Sequence, residues 1–189
     1  MAKQFDQVDD RLKRFIEAQP IFFVASATAG SRVNVSQKGL DCLRVLGPNR
    51  VIYLDLTGSG SETAAHLAAD GRLTLMFCAF AGAPMILRLY GRGRSIFRDD
   101  PEYAALLAAH YGGHEPRGAR QCVMQEIDLV QTSCGFAVPF MDFAGHRPVL
   151  GQWAEAKTDD ELVAYRRQKN RVSIDGLPTG LREKPPQAG

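Results

Sequence analysis

The chain has 189 residues, of which 45% are hydrophobic and 23% charged, with a net charge of +2, which suits one soluble domain able to bury a core without staples. So even a charge balance gives no ground for a nucleic-acid partner, and no run approaches the roughly 18 apolar residues of a membrane span. Cys42, Cys78, Cys122 and Cys134 are far apart and show no Cys-x-x-Cys or Cys/His ligand spacing, which excludes a zinc site or dithiol motif as a reading.

The N-terminus lacks the apolar core of a signal segment, and with free thiols this leads us to expect a reduced, cytoplasmic protein. Residues 5–18 read as an amphipathic helix, with Phe5, Val8, Leu12, Phe15 and Ile16 on one face, ended by Pro20. Three strands are expected next, at 21–29, 32–39 and 50–56, separated by Ala-Gly-Ser and Gly-Pro-Asn turns. The first is nearly all apolar and reads as buried on both faces. In the second, Arg32, Asn34, Ser36 and Lys38 share one face and Val33 and Val35 the other; the polar face reads as solvent-facing unless it borders a ligand.

The segment from Leu54 to Phe77 is the most informative. A strand runs into the hydroxyl- and glycine-rich turn Thr57-Gly-Ser-Gly-Ser61, which opens a short helix. The first N–H groups of a helix lack internal partners and carry the positive end of its dipole, so phosphate is favoured there, with Thr57, Ser59, Ser61 and Thr63 as hydroxyl donors. The alternative is that Ser61 simply caps a surface helix. Neither a Gly-Lys-Ser/Thr ending nor a Gly-x-Gly-x-x-Gly fingerprint is present, so this is neither a P-loop nor a dinucleotide turn.

Strands are expected at 73–80 and 85–97. In the latter, Leu87, Leu89, Gly91 and Gly93 alternate with Arg88, Tyr90, Arg92 and Arg94, giving a basic outer face, and the two glycines suggest a bulge or a close backbone approach. A helix follows at 101–111, a strand at 121–130, and helices near 150–156 and 159–170. Residues 1–180 are expected to form a single domain and 181–189, Pro-rich from Glu183, a disordered tail. The βαβ rhythm is missing, so the fold class is mainly β with flanking helices, a small barrel of about six antiparallel strands.

This order resembles the pyridoxamine 5'-phosphate oxidase-like FMN-binding split barrels. The likeness rests on Arg32-Val-Asn-Val-Ser-Gln-Lys-Gly39, on Thr57 four residues before the helix-opening Ser61, on Ala69-Asp-Gly-Arg72, on the aromatic Leu75-Met-Phe-Cys-Ala-Phe80, and on Leu87-Arg-Leu-Tyr-Gly-Arg-Gly93. It covers roughly residues 20–130. Three further stretches, Val33–Gly39, Thr132-Ser-Cys-Gly-Phe-Ala-Val-Pro and Ser173-Ile-Asp-Gly-Leu-Pro, are similar to one bacterial branch of the family.

The resemblance implies a homodimer with FMN at the subunit interface and a small-molecule substrate. Thr57, Ser61 and Thr63 would serve the phosphate; Arg32, Val33, Asn34, Val35, Ser36 and Leu56 would border the ribityl chain and ring. Glu62-Thr63 stands where the vitamin-B6 oxidases have Arg-Lys, so the charge facing the phosphate would have to come from Arg32, Lys38, Arg88 or a partner chain. The oxidases' C-terminal Arg-Leu-x-Pro element is also absent, so pyridoxamine phosphate is not the expected substrate. The alternatives are a non-catalytic flavin-binding or sensor module, or a split barrel using F420 or haem. His66, His110, His114 and His146 read as ordinary surface or capping residues, with His114 the one to test; Cys134 and Trp153 read as packing residues that could also approach a flavin.

Overall fold

The computed structural model describes residues 2–182. In chain order the elements are β1 (Lys3–Phe5), α1 (Asp10–Glu17), β2 (Phe22–Ser26), β3 (Asn34–Lys38), β4 (Leu43–Gly47), β5 (Arg50–Leu56), α2 (Glu62–Ala69), β6 (Arg72–Cys78), β7 (Ile86–Phe97), α3 (Tyr103–His110), β8 (Ala119–Ser133), α4 (Val149–Glu155) and α5 (Asp159–Lys169).

The strands form one antiparallel sheet in the order β3-β2-β6-β7-β8-β5-β4, with β1 added on the far end of β8. Both ends of the path are free among the described residues, so the barrel is split rather than closed. β7 and β8, 12 and 15 residues long, are its spine, and each serves two packing regions. One end of the spine, with Leu87, Leu89 and Val130, packs with Val24, Leu75 and Phe77 under α1. The other end, with Ile96 and Cys122, packs with Ile52 and Leu54 under α3.

The fold class matches the sequence reading, with two strands added. Phe5 was expected to open the first helix but ends β1, which pairs with β8, because Asp9 starts that helix later: its carboxylate accepts the Leu12 N–H at 2.7 Å. Leu43–Gly47 was passed over as a link, yet it folds back on β5 through the Gly47-Pro-Asn49 turn. β2 is shorter than expected and buried on one face only: Phe22, Val24 and Ser26 point into the core while Phe23 and Ala25 are half-buried. The expectation for the glycines of β7 holds. The register shifts between Tyr90 and Gly91, and a Cβ on Gly91 would lie 2.0 Å from the Glu126 carbonyl oxygen. Of the tail expected to be disordered, Leu181 is buried and Arg182 pairs with Asp99 and Asp100; residues 183–189 lie outside the described range.

Candidate functional site

A cleft of about 1410 Å³ opens between β3, the β5–α2 turn, the start of β8 and the segment 143–155. Asn34, Ser36 and Lys38 face it, because alternation along β3 sends Val33 and Val35 the other way, where they are 72% and 64% exposed. The polar face is thus the inward one, and it is the valines that meet solvent. Leu56 and the whole turn Thr57–Thr63 form the adjacent wall.

The polar groups of the turn are unevenly committed. Ser61 precedes α2 without making a side-chain cap, so the first-turn N–H groups are not satisfied by its hydroxyl, and Ser61 is buried rather than on a surface helix. Thr63 Oγ1 accepts from Asn34 Nδ2 at 3.1 Å and keeps its own proton for another acceptor. Thr57 is different. Its single hydroxyl proton goes to the Gly118 carbonyl at 2.8 Å, and the same oxygen accepts from Arg166 Nη1 at 3.3 Å, so Thr57 organises the turn instead of donating into the cleft. Behind it, Asn170 holds the Gly58 carbonyl at 2.9 Å.

The floor carries a buried charge cluster. Asp55 accepts from Lys38 Nζ at 2.9 Å, from Arg120 Nη2 at 2.6 Å and from Gln121 Nε2 at 2.9 Å. Arg120 Nη1 also donates to the Gly60 carbonyl at 2.8 Å, tying the floor to the turn. Burial would raise the Asp55 carboxyl, but Arg120 and Lys38, with the Gln121 hydrogen bond, hold it well below the usual carboxylate range. Beside it, burial pushes the Cys42 thiol up to about 12, so that residue is a neutral wall rather than a nucleophile.

A C-terminal turn clasps the mouth of α2. The Ile174 N–H donates to Glu62 Oε2 at 3.1 Å, and Asp175 accepts the Arg32 N–H at 2.8 Å while pairing with the Arg32 guanidinium. This accounts for two residues at once: Glu62 anchors backbone, and Arg32 is spent on Asp175 outside the cleft.

Of the residues expected at the site, Asn34, Ser36, Leu56, Thr57, Ser61 and Thr63 are brought together. Arg32, Val33, Val35 and Arg88 are not. Arg88 sits opposite Met76 and Gln131 on the face of β7 away from the buried Leu87 and Leu89, where it reaches Ser133. His66 is not a surface residue: it is buried, with Nδ1 3.0 Å from Ser26 Oγ. Cys134 is exposed rather than packed, and Trp153 stacks edge-on against Tyr165. Asp55, Arg120 and Gln121 were missed, although a carboxylate inside the apolar run Val51–Leu56 was a legible signal.

The sequence profile of the pyridoxamine 5'-phosphate oxidase family matches residues 8–134. A pyridoxamine 5'-phosphate oxidase family protein of the fungus Aspergillus flavus, ustO, is 40% identical over 95% of this chain and 80% of its own length, so likeness of this degree is not confined to bacteria. Among solved structures, HupZ of Group A Streptococcus superposes with a TM-score of 0.52 at 16% identity, over 65% of this chain and 91% of that one. A candidate pyridoxamine 5'-phosphate oxidase of Lactobacillus delbrueckii gives 0.53 at 18%, over 67% and 94%. At these identities the two structures speak for the fold alone.

Proposed function

This chain belongs to the pyridoxamine 5'-phosphate oxidase family, and from that premise we propose that it is an FMN-binding oxidoreductase passing hydride between the flavin and a small molecule other than pyridoxamine phosphate. The observation that carries the reading is that the N-terminus of α2, the hydroxyls of Ser61 and Thr63 and the polar face of β3 all line one cleft. That donor set fits a phosphate bearing a polar chain. Bound FMN would supply a hydride acceptor or donor, and the protein's part is to hold and orient it and to keep water away.

Arg120 donates to the Gly60 carbonyl and Arg166 to Thr57 Oγ1, so β8 and α5 fix the shape of the turn that would hold the phosphate. All four cysteines are free, which fits a reducing compartment such as the cytoplasm. Two copies would pair over the face of β3 that carries the exposed Val33 and Val35, opposite its cleft-facing side chains; light scattering should then give twice the 20.7 kDa chain mass, and a monomer would refute the pairing.

The deciding test is the absorbance spectrum of purified protein loaded with FMN and desalted. Retention of about one flavin per chain is expected. A colourless protein after loading would overturn the assignment.

A further inference from the structure

The floor of the cleft has a chemistry that a phosphate does not need. Lys38 and Arg120 share one carboxylate, Asp55, so two cations face one anion at a site where the side chains are 21%, 5% and 5% exposed. A surplus cation held out of water favours an electron-rich acceptor beside it. Gln121 adds the opposite demand. Its Nε2 is committed to Asp55, which fixes the orientation of the amide, and its Oε1 is buried with no hydrogen-bond partner among the described residues. Ser36 Oγ, facing the same cleft, is likewise buried and unpartnered. A group that satisfies this floor must therefore present an N–H or O–H donor next to acceptors that take up positive charge.

We propose that Lys38, Asp55, Arg120 and Gln121 form the subsite for the pyrimidine edge of the flavin ring, whose N3–H lies between two carbonyl oxygens. The N3–H satisfies Gln121 Oε1, and the neighbouring carbonyls take the charge of Lys38 and Arg120. Asp55 and Gln121 are positioning partners in this scheme, since Asp55 holds both cations and the amide. A cation beside this edge also favours the reduced ring, which carries negative charge there, over the oxidised one. The inference rests on the flavin reading above; Lys38 lies within the Arg32–Gly39 stretch of the family resemblance, whereas Asp55, Arg120 and Gln121 lie outside the stretches that carry it.

Titrations of wild-type protein with FMN, riboflavin and 3-methyl-FMN, which lacks the N3 proton, test it directly. FMN should bind about tenfold more tightly than 3-methyl-FMN, the value of one hydrogen bond to a buried acceptor. Gln121→Met should bind the two alike. Lys38→Met should weaken FMN and riboflavin by the same factor and narrow the ratio between oxidised and reduced FMN affinities, with unchanged circular dichroism as the check on folding. Equal wild-type affinity for FMN and 3-methyl-FMN would overturn the proposal without any variant. So would a Lys38→Met loss confined to FMN, because the cluster would then serve the phosphate. Wild-type protein that binds none of the three would refute the flavin reading itself, a result distinct from either of those.

Discussion

The two ends of the β7–β8 spine are held together by different physics. Toward β2 and β6 the strands bury Leu75, Phe77, Leu87 and Leu89 almost completely, and the fold there is a packing problem. Toward β5 the apolar packing of Ile52, Leu54, Ile96 and Cys122 is joined by buried Asp55, Arg120 and Gln121, and an electrostatic problem is added to the packing one. A domain of this size spends apolar area freely, but it buries a carboxylate with two cations only where partners are fixed in advance. The charged end is where the cleft is, so the expense is concentrated at the candidate site.

The strongest way to break that contrast is Asp55→Asn, which leaves Lys38 and Arg120 buried without their counter-ion. A loss of about 3–5 kcal/mol in unfolding free energy is expected, measured by chemical denaturation. The pH profile should sharpen it. The Asp55 carboxyl is held low in the folded chain, so its contribution is complete above the unfolded value of about 3.9 and drains away as pH falls from there through the folded value. Wild-type stability should therefore decline in acid more steeply than that of Asp55→Asn. Parallel acid profiles for the two proteins would contradict the ion cluster.

The same contrast explains what could be read in the sequence. The packing end was legible because alternation and apolar runs report directly on which face is buried: the expected strands around Leu75 and Leu89 fall where the structure has them. The turn before α2 was legible from its hydroxyls and glycines. The charged end was not, because its partners are distant in the chain: Lys38, Asp55 and Arg120 meet only through the pairing of β5 with β8 and the turn of β3 toward the cleft. The contacts of Arg32 and Glu62 were hidden for the same reason, since their partners Asp175 and Ile174 lie more than a hundred residues away and no local pattern announces them. Val33 and Val35 are a different case. Their alternation was read correctly, but local sequence cannot say which face of a strand borders a polar cleft.

At the packing end, Gly91→Ala is the matching perturbation. Its Cβ would meet the Glu126 carbonyl oxygen at 2.0 Å, and backbone held in the β7–β8 ladder cannot swing aside as a side chain would. A destabilisation of about 1–3 kcal/mol is expected, typical of overpacking. Gly58→Ala is the control, because a Cβ there has nothing within 4 Å; its stability should stay within about 1 kcal/mol of wild type. Equal losses at the two positions would mean that glycine's backbone freedom, not the close approach of β8, accounts for both.

The smallest effect should come from the ion pairs on the outer face of β7, and that smallness is the test. Arg94 and Glu102 form a two-pronged pair across both carboxylate oxygens, with Nη2 2.9 Å from Oε2, a geometry at least as favourable as that of Arg120, whose Nε and Nη2 both reach one oxygen of Asp55. The difference is water: the Arg94 and Glu102 side chains are 53% and 44% exposed, against 5% for each of the buried pair. Exposed charges recover their hydration when separated, so a double-mutant cycle on Arg94→Ala and Glu102→Ala should return a coupling of about 0–1 kcal/mol that shrinks further in salt. A coupling as large and as salt-resistant as that of Asp55 would mean that pair geometry, not exclusion of water, sets the strength of these contacts, and the charged end of the sheet would lose its claim to be different.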